Sequence, residues 1–168
     1  MKAKYNFLAF VFIGTFGAIS HFIYEWSGEN KLLGYFFATN ESTWEHLKLL
    51  FFPTLIFSLV EYFFVKNEVL NYIISVAISV LVGMISIIVL YNTYYGFLGY
   101  NIDFINITIF YIALIIMLII KNKIIESGKF EGQNSSLFGL FICFFITLLF
   151  IFLTYNPPSL AVFLSPTK

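Results

Sequence analysis

His21 and Glu25 stand four residues apart, and Glu41 and Glu45 repeat that spacing just before His46. Residues four apart share one face of a helix, so each pair can reach a common ion or proton. Imidazole and carboxylate without thiolate form the donor set of zinc, manganese or iron. A catalytic metal keeps one position open and lowers the pKa of its bound water, giving hydroxide near neutral pH. His21, Glu25, Glu41, Glu45 and His46 are therefore candidate ligands of a divalent metal (Zn, Mn or Fe), with Glu41 and Glu45 also candidate general bases. His46 is rotated by about 100° from Glu45 and ranks second. The spacing is not that of a known zinc helix: no H-E-x-x-H and no E-x-x-H occurs. Cys143 lies in an apolar run far from both histidines, which weakens any Cys/His nucleophile.

The same residues have structural readings. Ser42 to Glu45 matches the S-x-x-E capping box, with Asn40 as an alternative cap. Glu41 and Lys48 read as hydrated interfacial groups. What capping does not explain is the first group: Gly14, Ala18, His21 and Glu25 fall on one helical face, so a small-residue seam leads to His21 and Glu25.

The elements that must carry these side chains are apolar. Of 168 residues, 60% are hydrophobic and 11% charged, against about 25% charged in an ordinary soluble domain. Most of the surface must face lipid, and the length allows one compact domain over 1–168. The formal charge is zero and no basic patch is present, which argues against a nucleic-acid partner. Five stretches approach the roughly 20 apolar residues that a span needs: about 5–25, 43–65, 69–91, 103–121 and 136–155. The expectation is an all-α integral membrane bundle of about five transmembrane helices. The first stretch has no convincing cleavage site and reads as a retained helix rather than a secretory signal.

All nine basic residues are lysine. An N-terminus in the cytoplasm puts Lys2, Lys4, Lys66, Lys121, Lys123 and Lys129 inside and only Lys31, Lys48 and Lys168 outside, as the positive-inside rule expects. The cell membrane, the N-terminus inside and the C-terminus outside are the expected localisation. The loop 26–42 and the tyrosine-rich segment Tyr91–Asn101 then lie outside, with Trp26 and Trp44 as interfacial anchors. Trp44, Tyr95 and Asp103 are candidate pocket-lining residues. Asn67-Glu68 makes a tight inner turn, and Ser135 or Ser136 is a candidate cap of the last helix. Ser75, Ser79, Gly83 and Ser86 share a face, as do Gly139, Cys143 and Thr147, marking close-packing seams.

With Ser20-His21-Phe22-x-Tyr24-Glu25-Trp26 and Asn40-Glu41-Ser42-x-Trp44-Glu45-His46-x-Lys48, followed by Pro53, the chain resembles an uncharacterised family of small bacterial multi-pass membrane proteins. The resemblance implies membrane location and a shared cluster. It implies no activity.

The functional expectation is a metal-binding site at the outer face acting on a lipid or lipid-linked substrate, with the lipid bilayer as the standing partner. A proton- or ion-coupled transporter or sensor is the alternative, as is a non-enzymatic membrane subunit or assembly factor. A carrier needs polar groups that continue inward. Thr54, Ser58 and Glu61 share a face, but Glu61 lies about 24 Å along the helix from Glu45, where hydration at the cytoplasmic interface accounts for it.

Overall fold

The computed structural model describes residues 3–166. Among them five helices are long and apolar enough to cross a membrane: α1 (Ala3–Trp26), α3 (Thr43–Val65), α4 (Tyr72–Leu98), α5 (Asp103–Glu126) and α6 (Gln133–Tyr155). A one-turn helix, α2 (Lys31–Gly34), interrupts the loop after α1, and a 3₁₀ turn, Ala161–Phe163, follows α6. The described residues contain no strand.

The span over 43–65 falls where the apolar run places it. Others extend past the apolar core. The chain around Tyr91 is helix, not loop: α4 continues to Leu98, where Gly99 in the left-handed region (φ 77°) ends it by donating to the Tyr95 carbonyl. The helix outlasts the hydrocarbon because tyrosines can stack along it; Tyr91 and Tyr95, one turn apart, lie 5.6 Å between ring centroids. At α6 the cap position is Gly132, and both serines proposed as caps lie inside the helix.

Four helices close a ring: α1 packs on α3, α3 on α4, α4 on α5, and α5 on α1, while α6 leans on α4. The starts of α3 and α5 meet the ends of α1 and α4, so neighbours in the ring run antiparallel. The core is a main cluster, in which Ile13, Leu47, Leu50, Phe51, Leu114 and Phe150 are buried almost completely, and a smaller one around Val65, Tyr72 and Val76. Where no hydrophobic effect draws helices together, contact depends on small residues and shape. The α4 seam follows the expected stripe: Ser75, Ser79 and Gly83 are all buried. An added Cβ at Gly139 would sit 2.9 Å from the Ile74 Cα, so α6 meets the α4 backbone itself.

The α1 seam differs from the expected one. Ala18 and Glu25 are exposed, whereas Gly14, Gly17 and Ser20 are buried. A step of three residues turns a helix by about −60° and a step of four by about +40°; α1 faces its neighbours through the flank that carries Gly17 and Ser20, and Glu25 falls on the other flank. Gly17 approaches Leu49, where Pro53 withholds the N–H that would bond the Leu49 carbonyl. A Cβ at Gly17 would meet that oxygen at 2.6 Å. The proline and the glycine thus bring α1 close to α3 one turn below His21.

Candidate metal centre

The chain before α3 is fixed by its own polar atoms. Asn40 Oδ1 accepts from the Ser42 amide at 2.8 Å, and Ser42 Oγ accepts from the Glu45 amide at 3.3 Å. Both candidate caps are used, in series. The Glu45 side chain does not complete the capping box. It lies buried, 2.7 Å from Lys48 Nζ, and accepts from the Thr39 amide (2.9 Å), the Thr39 hydroxyl (3.0 Å) and the Thr154 hydroxyl of α6 (3.3 Å). Lys48 Nζ also donates to the carbonyl oxygen of Gly34 at 2.8 Å. An isolated charge in this setting would be costly; here acid and ammonium neutralise each other and tie α2 and its loop to α3 and α6. Lys48, expected to be hydrated, is 0% exposed because its partner is buried beside it.

With Glu45 so engaged, Glu41 meets the histidines. His21 Nε2 and His46 Nε2 each lie 3.5 Å from Glu41 Oε2, and one ligand atom from each residue lies within 4.8 Å of the others. The rings face each other with centroids 5.1 Å apart. His46 Nδ1 is 2.9 Å from the Ser42 carbonyl oxygen. A carbonyl only accepts, so Nδ1 carries the proton and Nε2 keeps its lone pair for Glu41's side. Orientation of a ligating histidine through its other nitrogen is the usual outer-shell device of metal sites. At 3.5 Å the three atoms are beyond good hydrogen-bond distance. Their mean approach does not depend on bonds among themselves.

Of the sequence candidates, the fold brings together His21, Glu41 and His46. Glu25 is exposed on the far flank of α1, and Glu45 belongs to the ion pair. His46 shares the site because it lies one turn after Ser42, whose carbonyl orients its ring, and Glu41 precedes the helix and so is not bound to its rotation. Trp44, expected to anchor at the interface, instead packs on Phe150 and Phe163 with centroids 4.8 Å away in each case. Trp26 is exposed, as an anchor would be.

Beside Glu41 and His46 runs a cleft of about 50 Å³, walled by Tyr91, Asn101 and Asn106 and floored by Leu49, Ile109 and Phe110. Tyr95 and Asp103 are not in its lining: Tyr95 stacks on Tyr91, and Asp103 is exposed. Asn101 and Asn106 escaped sequence reasoning. An asparagine just inside an apolar span, with another five residues earlier, was the available signal.

A second buried polar group was missed at the other end. Glu61 Oε2 lies 2.9 Å from Lys121 Nζ and accepts from the Tyr72 hydroxyl at 2.6 Å. Glu61 is buried, not hydrated, because α4 and α5 cover the face that Thr54, Ser58 and Glu61 share. Lys121 and Glu61 lie at the ends of different spans, so their meeting depends on the ring closing.

Fold and site together describe a helical protein with five helices able to cross a membrane and an acid–histidine cluster at one end of the bundle. Over residues 1–167 the chain matches, and belongs to, the family described as a family of unknown function (DUF6512). No curated protein and no solved structure matches it.

Proposed function

We propose that His21, Glu41 and His46 hold a divalent metal, zinc in the first instance, with an open coordination position, and that the site works on lipid at the outer face of the cell membrane. The observation that carries this reading is the convergence of three donors. Glu41 Oε2 is 3.5 Å from each imidazole nitrogen, and one ligand atom of each residue lies within 4.8 Å of the others, close enough for all three to reach one ion at zinc bond lengths of about 2.0–2.2 Å after small adjustments. Two histidines and one carboxylate supply three ligands and leave the fourth position to water, the pattern of zinc hydrolases. The same three donors also suit non-haem iron, but iron oxygenation needs a reductant as well as oxygen, whereas hydrolysis needs only water.

The lysine distribution supports an outward-facing site, since the cluster lies at the end opposite Lys66, Lys121, Lys123 and Lys129. Elemental analysis of the purified full-length protein tests the reading. One zinc per chain is expected, with loss of most of it in His21→Ala, His46→Ala and Glu41→Gln, and retention in Glu25→Gln. Wild-type protein without stoichiometric zinc after loading, or His21→Ala with its zinc intact, refutes the site.

One observation favours the proton-coupled alternative: the acid–base pair Glu61–Lys121 buried at the opposite end. It is separated from the histidines by Leu47, Leu50 and Phe51, all buried and apolar. A polar path would have to cross that layer. Proton uptake by liposomes containing the protein, abolished by Glu61→Gln, would instead support the carrier.

A further inference from the structure

The cleft beside the histidines has a polar wall that metal binding does not use. Asn101 Oδ1 accepts from Asn106 Nδ2 at 2.9 Å and lies 2.8 Å from the Tyr94 hydroxyl oxygen, whose single proton it shares with Asn106 Oδ1. Tyr94 also receives the Ile102 amide at 3.4 Å. In this arrangement the oxygen end of the Asn101 amide is turned to the network, where the Asn106 amide donates to it. Its NH₂ group makes no hydrogen bond among the described residues and belongs to a side chain that lines the cleft with Glu41 and His46. Two amide hydrogens are therefore left without a protein partner on a braced side chain that lines the same cleft as Glu41 and His46.

Below this rim the walls are apolar. From Asp103 at the start of α5 to Phe110 in the floor is about 10 Å along the helix, the distance from a helix end to just inside the hydrocarbon. The cleft's roughly 50 Å³ holds a few water-sized groups, at about 10–15 Å³ each. That is room for one carbonyl and its attacking water, with the rest of a larger molecule left outside the mouth. A polar pair of walls over an apolar floor at that depth matches the acyl ester of a membrane lipid, whose carbonyl sits at the interface and whose chain continues into hydrocarbon.

We propose that the cleft binds the acyl ester carbonyl of a membrane lipid and that Asn101 donates to its oxygen; this rests on the metal reading above. In the reaction, a hydroxide generated at the open position adds to the carbonyl carbon, and the carbonyl oxygen becomes an oxyanion facing Asn101 Nδ2. Collapse of the adduct breaks the ester C–O bond. The departing alkoxide takes the proton of the added hydroxyl, leaving a carboxylate and an alcohol; one water is consumed, and the proton it loses in forming the hydroxide passes to bulk solvent. A donor aimed at the oxyanion acts where charge develops and needs no rearrangement during the step. Tyr94 and Asn106 are positioning residues that act by holding Asn101.

The test uses the full-length zinc-loaded protein with two substrates: dioleoyl phosphatidylglycerol in vesicles containing the protein, scored by fatty acid release, and p-nitrophenyl butyrate in detergent. Wild type is expected to cleave the lipid. Asn101→Ala and Asn101→Asp are expected to lower kcat by about 10²–10³-fold with one zinc per chain retained. Tyr94→Phe should give a smaller loss in kcat with KM nearly unchanged, and Asn106→Gln should restore part of the activity lost in Asn106→Ala. Zinc-containing wild type that releases no acyl product from either substrate overturns the proposal and leaves the metal site standing. Cleavage of the soluble ester alone overturns its lipid half, and full activity in both Asn101 variants overturns the role of Asn101. Absence of zinc from wild type, read separately by elemental analysis, removes the metal reading and this one with it.

Discussion

Glu41 and Glu45 look alike in the sequence, and the fold gives them opposite fates. Glu45 is 1% exposed in its side chain and faces Lys48; Glu41 is 59% exposed and faces two histidines. Removing one member of a buried pair strands the other charge, at about 3–5 kcal/mol. Lys48→Met should therefore lower the melting temperature in detergent sharply. Glu45→Gln should do so too, while the folded fraction keeps its zinc. Glu41→Gln should leave the melting temperature of metal-free protein nearly unchanged and abolish zinc binding. At the other end, Lys121→Met should destabilise by a similar 3–5 kcal/mol, and adding Glu61→Leu should recover most of it, measured by the same melts. Residue types and spacing were enough to mark the acid–histidine group. They could not assign partners, because Thr39, Lys48 and Thr154 compete for Glu45 through the fold, and Thr154 belongs to a helix that begins nearly ninety positions after it by rough count along the chain.

Helix existence was legible at the scale of elements because an apolar run of about 20 residues has few other solutions in lipid. Rotation about the helix axis was not. The α1 stripe Gly14–Ala18–His21–Glu25 and the flank through Gly17 and Ser20 differ by a turn of about 100°, and both offer small residues. Two features outside α1 decide it: the Leu49 carbonyl left without its donor by Pro53, and the Phe110 ring, whose Cζ would be 2.7 Å from a Cβ at Gly17. Gly17→Ala should thus push α1 away from α3 and α5. Overpacking of this kind costs about 1–3 kcal/mol, and since it displaces His21 from His46, zinc affinity should fall together with the melting temperature. A variant that loses stability but binds zinc as wild type does would show that α1 rotates to compensate. Gly139→Ala, pressed against the α4 backbone far from the histidines, should destabilise by a comparable amount without touching zinc affinity.

For the whole molecule, the order of spans could be read from the chain, but ring closure could not, because the partners of each helix are chosen by shape rather than by hydropathy. The antiparallel ring places the histidines and Glu41 at one end and Glu61, Tyr72 and Lys121 at the other. Single cysteines introduced at exposed Glu25 and exposed Glu126 in a Cys143→Ala background should therefore react with an impermeant maleimide from opposite sides of sealed cells, Glu25→Cys from outside. Labelling of both from the same side would break the alternation on which the ring depends.

The bond from Thr154 to Glu45 carries a consequence for biogenesis. A ribosome makes Glu45 and Lys48 long before it makes Thr154, so the nascent chain holds an incompletely satisfied ion pair until the last helix is inserted. Completion of the polar cluster around Glu45 is then a late event that waits for α6, and a nascent chain arrested before α6 would be a natural target for membrane quality-control proteases.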